Sequence, residues 1–409
     1  MAAGIGSRLT GAARGLLRGL PGSEVPPRPA PWMRRSSFHT QEDGINRQRR
    51  RTDTGPSVSV RRRLSASTRR WQSPVIQLPG TLADPPVEPF KLVEDELHSL
   101  YADIRTELWT NRPELDQISR YYFDGRGKAF RPIVVMLVAR VLNFHMFHSN
   151  ILLDSQRKVA MIAEMIHIAS LVHDDVIDTS DTRRGKPSVN LLWGQKKAIL
   201  TGDFILAQTA RLLARIGSED VIMFLAQVLH DLIQGEFMQL GSKEDETERF
   251  SHYLQKTFKK TASLIAYTCK SVALLGGADQ QLQEAAFQYG RNMGIAFQLV
   301  DDMLDFISSQ AEMGKPAATD LRLGLATAPV LFACEKFPEL NPMIMRRFSE
   351  RRDVERAYEA VLKSDGLEHT RMLAKKHCDE ALKHISVLSE CPEKRALVTV
   401  AEKVLYRTK

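Results

Sequence analysis

The sequence predicts an all-α fold, a single large helical bundle around a central cavity. Three observations carry that expectation. From about Pro89 onward, apolar residues recur at three- and four-residue steps over long stretches. Alternating two-residue periodicity is rare, and the interruptions are short and rich in Gly, Pro or Asp. No Gly-rich nucleotide fingerprint follows a strand-like segment. The stripe Val159, Ile162, Met165, Ile166, Ala169 and Val172 is a clear example. Similar stripes run from Ala198 to Ile216, Val221 to Leu240, Leu282 to Phe306 and Val354 to Leu388.

The N-terminal part reads differently. Of the formal net charge of +8, residues 1–72 supply 15 Arg and 4 acids, or +11, which leaves −3 for the rest of the 409 residues. The part expected to fold is therefore slightly acidic, and the bulk charge gives no support for a nucleic-acid groove. Arg8, Arg14, Arg18, Arg28, Arg34 and Arg35 are interleaved with small and apolar residues, and no continuous secretory h-region is present. Import into the mitochondrial matrix is favoured over a disordered RNA-binding arm or a chloroplast address. Residues 1–82 are expected to be a mitochondrial transit peptide and disordered linker, and residues 83–409 one helical domain. Cys269, Cys334, Cys378 and Cys391 show no CxxC pair and no zinc-like spacing, so they read as reduced thiols. No run reaches about 18 consecutive apolar residues, so any contact with the inner membrane is expected to be peripheral.

Two segments carry the chemistry. Leu171 to Asp178 reads LVHDDVID and Leu299 to Phe306 reads LVDDMLDF, each with a DDxxD pattern. At about 100° per residue the three acids of a motif fall near 0°, 100° and 40°, which predicts one shared helix face for Asp174, Asp175 and Asp178 and another for Asp301, Asp302 and Asp305. Carboxylates facing each other without counter-charge repel and are forced toward protonation. A hard divalent cation such as Mg²⁺, keeping water and phosphate oxygens in its shell, answers that need. A lone DDxxD is usually a solvated acidic face; two copies in the same apolar context are not. An EF-hand is excluded, because neither motif continues into the required loop with its Gly and terminal Glu.

Basic and polar residues cluster beside these acids. Lys128 and Arg131 lie three apart in GKAFRP, with Pro132 suited to the first turn of a helix. Arg183 and Arg184 follow the first acidic motif and can grip phosphate oxygens. Lys260 and Thr261 form a KT pair, while Gln298 and Lys315 flank the second motif. His167 precedes Asp174 by nearly two turns on one face and can hydrogen-bond a diphosphate. A lone histidine there is more commonly structural, as each basic residue alone is more commonly a surface charge.

With these residues in place, the chain resembles the trans-prenyltransferase family of all-trans polyprenyl diphosphate synthases. The ordered set is GKxxRP, DDxxD followed by RRG, the GD of Gly202 and Asp203, KT, and FQLVDDMLDF followed by GKP. The likeness covers most of the chain from about Pro89, and within the family it is greatest to subunits of mitochondrial long-chain enzymes. The resemblance implies an isoprenoid synthase fold and repeated condensation of isopentenyl diphosphate onto an allylic diphosphate, giving a long polyprenyl chain for ubiquinone. It implies that Asp174, Asp175, Asp178, Asp301 and Asp302, with Asp305 in support, hold several Mg²⁺ ions. Arg183, Lys260, Thr261, Gln298 and Lys315 would hold the allylic group, and Lys128, Arg131, His167 and Arg184 isopentenyl diphosphate. Small Ala169 and Ser170, about one turn before Asp174, would leave a channel open for a long product. A heteromer with a divergent second subunit is implied as well. One departure is visible: Leu325 stands in GLATAP where many relatives carry Lys. A terpene cyclase and a non-catalytic partner subunit are the competing readings. Two phosphate-holding sets and two complete acidic motifs weigh against them.

Overall fold

The computed structural model describes residues 87–125, 127, 129–241, 246, 248–311 and 318–407. The expected transit segment and linker, with Lys128 and Lys315, lie outside the described residues.

The helical expectation holds. Helices α1 (Pro89–Leu92), α2 (Glu94–Glu107) and α3 (Pro113–Ser119) lead into α4 (Phe130–Phe147) and α5 (Asp154–Ile177). A hairpin of two-residue strands, β1 (Thr182–Arg183) and β2 (Lys186–Pro187), follows, then α6 (Val189–Trp193), α7 (Gln195–Ile216) and α8 (Glu219–Gly241). Beyond them come α9 (Arg249–Thr257), a π-helical turn (Phe258–Ala262), α10 (Ser263–Leu275) and α11 (Gln280–Ala311). Short α12 (Thr319–Arg322), α13 (Ala328–Ala333) and α14 (Leu340–Met345) precede α15 (Asp353–Lys363), α16 (Gly366–Ile385) and α17 (Pro392–Tyr406). The hairpin is the one strand pair among the described residues. Its turn residues Arg184 and Gly185 both have positive φ, as a type I′ turn requires.

Apolar patterning dictates the layering. The run Pro132 to Leu142 is buried on every side, which makes α4 the central helix. The predicted stripe of α5 is buried throughout, against α4, α7 and α10. Helix α11 lies between α10 and α16, and α17 closes the bundle against α4. A smaller core around Phe306, Leu321, Val330 and Val361 sits beneath α12 to α15. Two close approaches need glycine. A Cβ on Gly202 would lie 2.2 Å from His173 Nε2, so the GD pair lets α7 press on α5. A Cβ on Gly290 would lie 2.7 Å from the Ile265 carbonyl oxygen, so α10 and α11 cross backbone to backbone.

Two helices are long and apolar enough to cross a membrane, although the sequence holds no unbroken apolar run of that length: Phe130–Phe147 and Glu219–Leu240. The first is the core helix α4. The second buries Asp231 against Lys259, yet leaves Ile233 60% and Phe237 71% exposed, so α8 has one face in the bundle and another without cover.

Chain direction then fixes where the chemistry collects. Helix α5 ends at its acidic motif, and α11 carries its own in its last third. The α4 entry, with Arg131, and the end of α17, with Arg407, line the same cavity as Asp174 and Asp301. Overpacking the α10–α11 crossing tests this frame. Gly290→Ala is expected to destabilise the protein by about 1–3 kcal/mol, read as a lower thermal midpoint with the helical circular-dichroism spectrum retained.

Candidate active site

Two adjoining chambers occupy this pole. The smaller, about 280 Å³, is lined by Asp174, Asp178, Lys260, Gln298, Asp302 and Asp320, among others. The larger, about 670 Å³, is lined by Arg131, His167, Asp174, Arg184, Asp301 and Arg407, among others. Asp174, Arg183, Lys260, Thr261 and Gln298 line both. The expected allylic residues among the described ones thus form the shared wall. Arg131, His167 and Arg184, the expected isopentenyl residues, line only the larger chamber.

The six aspartates do not act alike. Asp174 and Asp178 share a face, but Asp175 does not join them, contrary to the one-face expectation. Its 100° offset turns it into the protein, where Arg183 Nη2 lies 2.6 Å and Nε 2.8 Å from Oδ1 and the Tyr122 hydroxyl donates to Oδ2 at 3.1 Å. The second motif divides similarly. Asp301 faces the larger chamber and pairs with Arg407 at 2.7 Å, whereas Asp302 faces the smaller and accepts from Tyr253 at 2.5 Å and Gln298 at 2.8 Å. Asp305 lines neither; it accepts the backbone N–H groups of Thr319 (3.1 Å) and Asp320 (3.0 Å), fixing the start of α12.

Burial sets the electrostatics. Desolvation raises Asp174 to about 6, with Glu236 and Asp178 adding to the rise and Lys260 opposing it. Desolvation likewise raises Asp302 to about 6 against the hydrogen bonds from Tyr253 and Gln298, and raises Asp178. Asp320 is pushed up to about 8, first by burial and then by Asp302 and Asp305. Carboxylates this reluctant to ionise lack sufficient positive charge. Among the described residues, no three His, Cys, Asp or Glu side chains gather as a ready metal cage. All-oxygen donors on facing walls fit a hard cation that keeps water and phosphate oxygens in its shell.

The larger chamber has the opposite character. Burial holds His167 well below the usual histidine range, reinforced by Arg131, Arg184 and Arg183, so its ring is neutral. Arg184 Nη2 donates to His167 Nε2 at 3.4 Å. Burial lowers Arg131 to about 10, opposed by Glu164 and Asp301. Concentrated guanidinium charge beside an uncharged imidazole is a setting for an anion.

Ser170 lines the larger chamber and donates to the His167 carbonyl oxygen at 2.9 Å, while Ala169 is fully buried in the core. Several side chains here were not singled out from the sequence: Glu236, Tyr253, Lys256, Asp320, Phe297 and Arg407. Glu236 and Asp320 had a signal, an acid within an apolar helix and an acid soon after the second motif. Arg407 had none, because its role comes from α17 folding back.

An all-helical bundle in which acids of two aspartate motifs line one cavity, with an arginine-lined chamber beside it, defines a class of helical enzymes that handle diphosphates. The chain belongs to the polyprenyl synthetase family, whose model matches residues 112–361. It is 58% identical over 322 residues to the human all trans-polyprenyl-diphosphate synthase, covering 79% of this chain and 78% of that one. It is 40% identical over 343 residues to decaprenyl-diphosphate synthase subunit 1 of Schizosaccharomyces pombe, covering 78% and 91%. A crystal structure of a polyprenyl synthase from Caulobacter crescentus, complexed with calcium and isoprenyl diphosphate, superposes with a TM-score of 0.70 at 30% identity, over 78% of this chain and 97% of that one.

The raised carboxylates predict a pH signature with a definite sign. Folded values near 6 lie above the ordinary 3.8, so these groups contribute stability below pH 4 that is lost as pH rises through about 6. A divalent cation with inorganic diphosphate reverses that loss only where the acids ionise. The thermal-midpoint gain from the pair is expected to grow between about pH 5 and pH 7. A gain independent of pH over that range would contradict the assignment.

Proposed function

We propose that this protein condenses isopentenyl diphosphate repeatedly onto an allylic diphosphate, making a long all-trans polyprenyl diphosphate in the mitochondrion for the ubiquinone side chain. The observation carrying this reading is the pair of chambers: one acidic and cationic wall shared by both, and one arginine and histidine set confined to the larger. Condensation needs two diphosphates held side by side, whereas cyclisation needs one.

The allylic diphosphate lies across the shared wall, gripped by Arg183, Lys260, Thr261 and Gln298; the family resemblance adds Lys315, which lies outside the described residues. Arg131, His167 and Arg184 hold isopentenyl diphosphate in the larger chamber; the family resemblance adds Lys128, which lies outside the described residues. Mg²⁺ held by Asp174, Asp178, Asp301 and Asp302 would neutralise charge on the leaving diphosphate. Arg183 and Lys260 stabilise that same charge as the carbon–oxygen bond breaks. The isopentenyl double bond attacks the allylic cation, and proton loss, with released diphosphate as acceptor, restores an alkene. Asp175 acts through Arg183, orienting its guanidinium, and Asp305 acts through α12. Small Ser170, on the wall of the larger chamber, leaves space beside α5 for the growing chain, whereas Ala169 is packed in the core and would act only through the width of that wall.

The uncovered face of α8, with Met223, Ile233, Phe237 and Leu240 exposed, supports assembly with a second, divergent subunit. The Schizosaccharomyces pombe relative is itself named a subunit.

The decisive assay incubates the purified protein, coexpressed with its partner subunit, with labelled isopentenyl diphosphate, farnesyl or geranylgeranyl diphosphate and Mg²⁺. Long polyprenyl products are expected by chromatography; their absence, with or without the partner, would refute the proposal. Chelating the metal abolishes turnover, and Asp174→Asn lowers kcat by about 10²–10³. Ala169→Phe shortens the product. Phe237→Glu is expected to dissociate the assembly in light scattering while leaving the thermal midpoint of the isolated subunit within about 2 °C.

A further inference from the structure

Asp231 is a buried carboxylate on α8 that lines neither chamber and that the mechanism above does not use. We infer that Asp231, through Lys259 and Ser263, sets the π-helical turn that presents Lys260 and Thr261 to the allylic diphosphate. The inference rests on the role given to those two residues under the proposed function.

The turn Phe258–Ala262 separates α9 from α10. A π turn carries one residue more than an α turn and persists where its surroundings hold it, often at functional sites. Adjacent residues of a helical turn point in different directions, and here the two consecutive lysines part. Lys259 Nζ donates to Asp231 Oδ1 at 3.0 Å and to Gln234 Oε1 at 2.7 Å. Lys260 Nζ instead points toward the chambers, 2.6 Å from Glu236 Oε2 and 3.2 Å from Gln239 Oε1.

Asp231 clasps both sides of the widening. Oδ1 takes Lys259, inside the turn, and also accepts from Gln227 Nε2 at 3.0 Å; Oδ2 accepts from the Ser263 hydroxyl, just past the turn, at 3.0 Å. One helical turn further along α8, a Cβ on Gly235 would lie 3.0 Å from the Lys260 backbone nitrogen and 3.2 Å from the Lys259 and Lys260 Cβ atoms. The α8 backbone is therefore the bed of the turn, and Asp231 is its clasp. Rotating the turn back to α geometry would carry Lys260 and Thr261 off the shared wall. Thr261 would then lose its 2.9 Å hydrogen bond to Gln298. Asp231 and Lys259 are thus positioning residues, acting through the two side chains that meet substrate.

The test uses the full chain with its partner subunit. It measures binding of an unreactive allylic thiolodiphosphate in the presence of Mg²⁺ by calorimetry, together with KM for each substrate. Asp231→Asn and Lys259→Met are each expected to weaken allylic binding about tenfold and to leave KM for isopentenyl diphosphate unchanged, with the double variant no worse than either single one. Lys259→Arg should restore most of the affinity. A purely structural ion pair would lower the thermal midpoint without this split between substrates. Should Asp231→Asn fail to fold, Lys259→Met, at the partly exposed end of the pair, gives the same readout. Wild-type allylic affinity in folded variants, with Lys260→Ala impaired, would overturn the inference alone. Wild-type affinity in Lys260→Ala would overturn the assignment of the allylic site, and this inference with it.

Discussion

Negative charge buried from two directions is the constraint around which this molecule is organised. Helix α5 delivers Asp174 and Asp178, and α11 delivers Asp301 and Asp302, into an interior where ionised carboxylates are poorly solvated. The surrounding chain supplies partial answers. Tyr253 and Gln298 donate to Asp302, Arg407 pairs with Asp301, and Lys260 faces Asp174. Those answers fall short, because Asp174 and Asp302 remain near 6. A site left electrostatically incomplete by its own residues gains binding energy when cations arrive with their phosphate ligands. The cost of burying these carboxylates away from water thereby becomes affinity for a metal–diphosphate complex.

That arrangement depends on a bundle stiff enough to keep these carboxylates out of water. The all-round burial of α4, the glycine-mediated crossing of α10 and α11, and the clasp of α8 on the π turn fix the helices at van der Waals contact. Compliance at any of these places would let water reach the carboxylates. Rigidity far from the acids is therefore part of the site's electrostatics.

Much of this was legible in the sequence, and the remainder was hidden for physical reasons. Periodicity gave the helices, and the predicted α5 stripe is buried without exception. Among the described residues, Asp174, Asp178, Asp301 and Asp302 line the two chambers with Arg131, Arg183, Arg184 and Lys260. What a helical wheel cannot tell is which neighbour claims a residue at the edge of a face. Asp175 lies 100° from Asp174, and the hairpin that brings Arg183 back over it decides the matter. Glu236 and Arg407 were missed because their meaning is tertiary: one depends on a π turn from another helix, the other on the return of α17. The hairpin itself rests on Arg184 and Gly185 at positive φ, which a reading of RRG as a phosphate clamp did not anticipate.

The division of labour within each motif has a further consequence. Adjacent aspartates in a helix cannot face the same point, so DDxxD does not amount to three equivalent ligands. In the first motif the middle acid anchors an arginine; in the second, neighbouring acids serve two different chambers. The motif is thus a way of linking tasks. On the proposed mechanism Asp174 and Asp178 would address the cation, while Asp175, one peptide away, holds the Arg183 guanidinium proposed to meet the same diphosphate. Shifts of α5 move all three together, so on the proposed mechanism a metal held there and Arg183 would stay in register on the leaving group. Separate helices could supply the same side chains, but they would not keep that register when the bundle breathes.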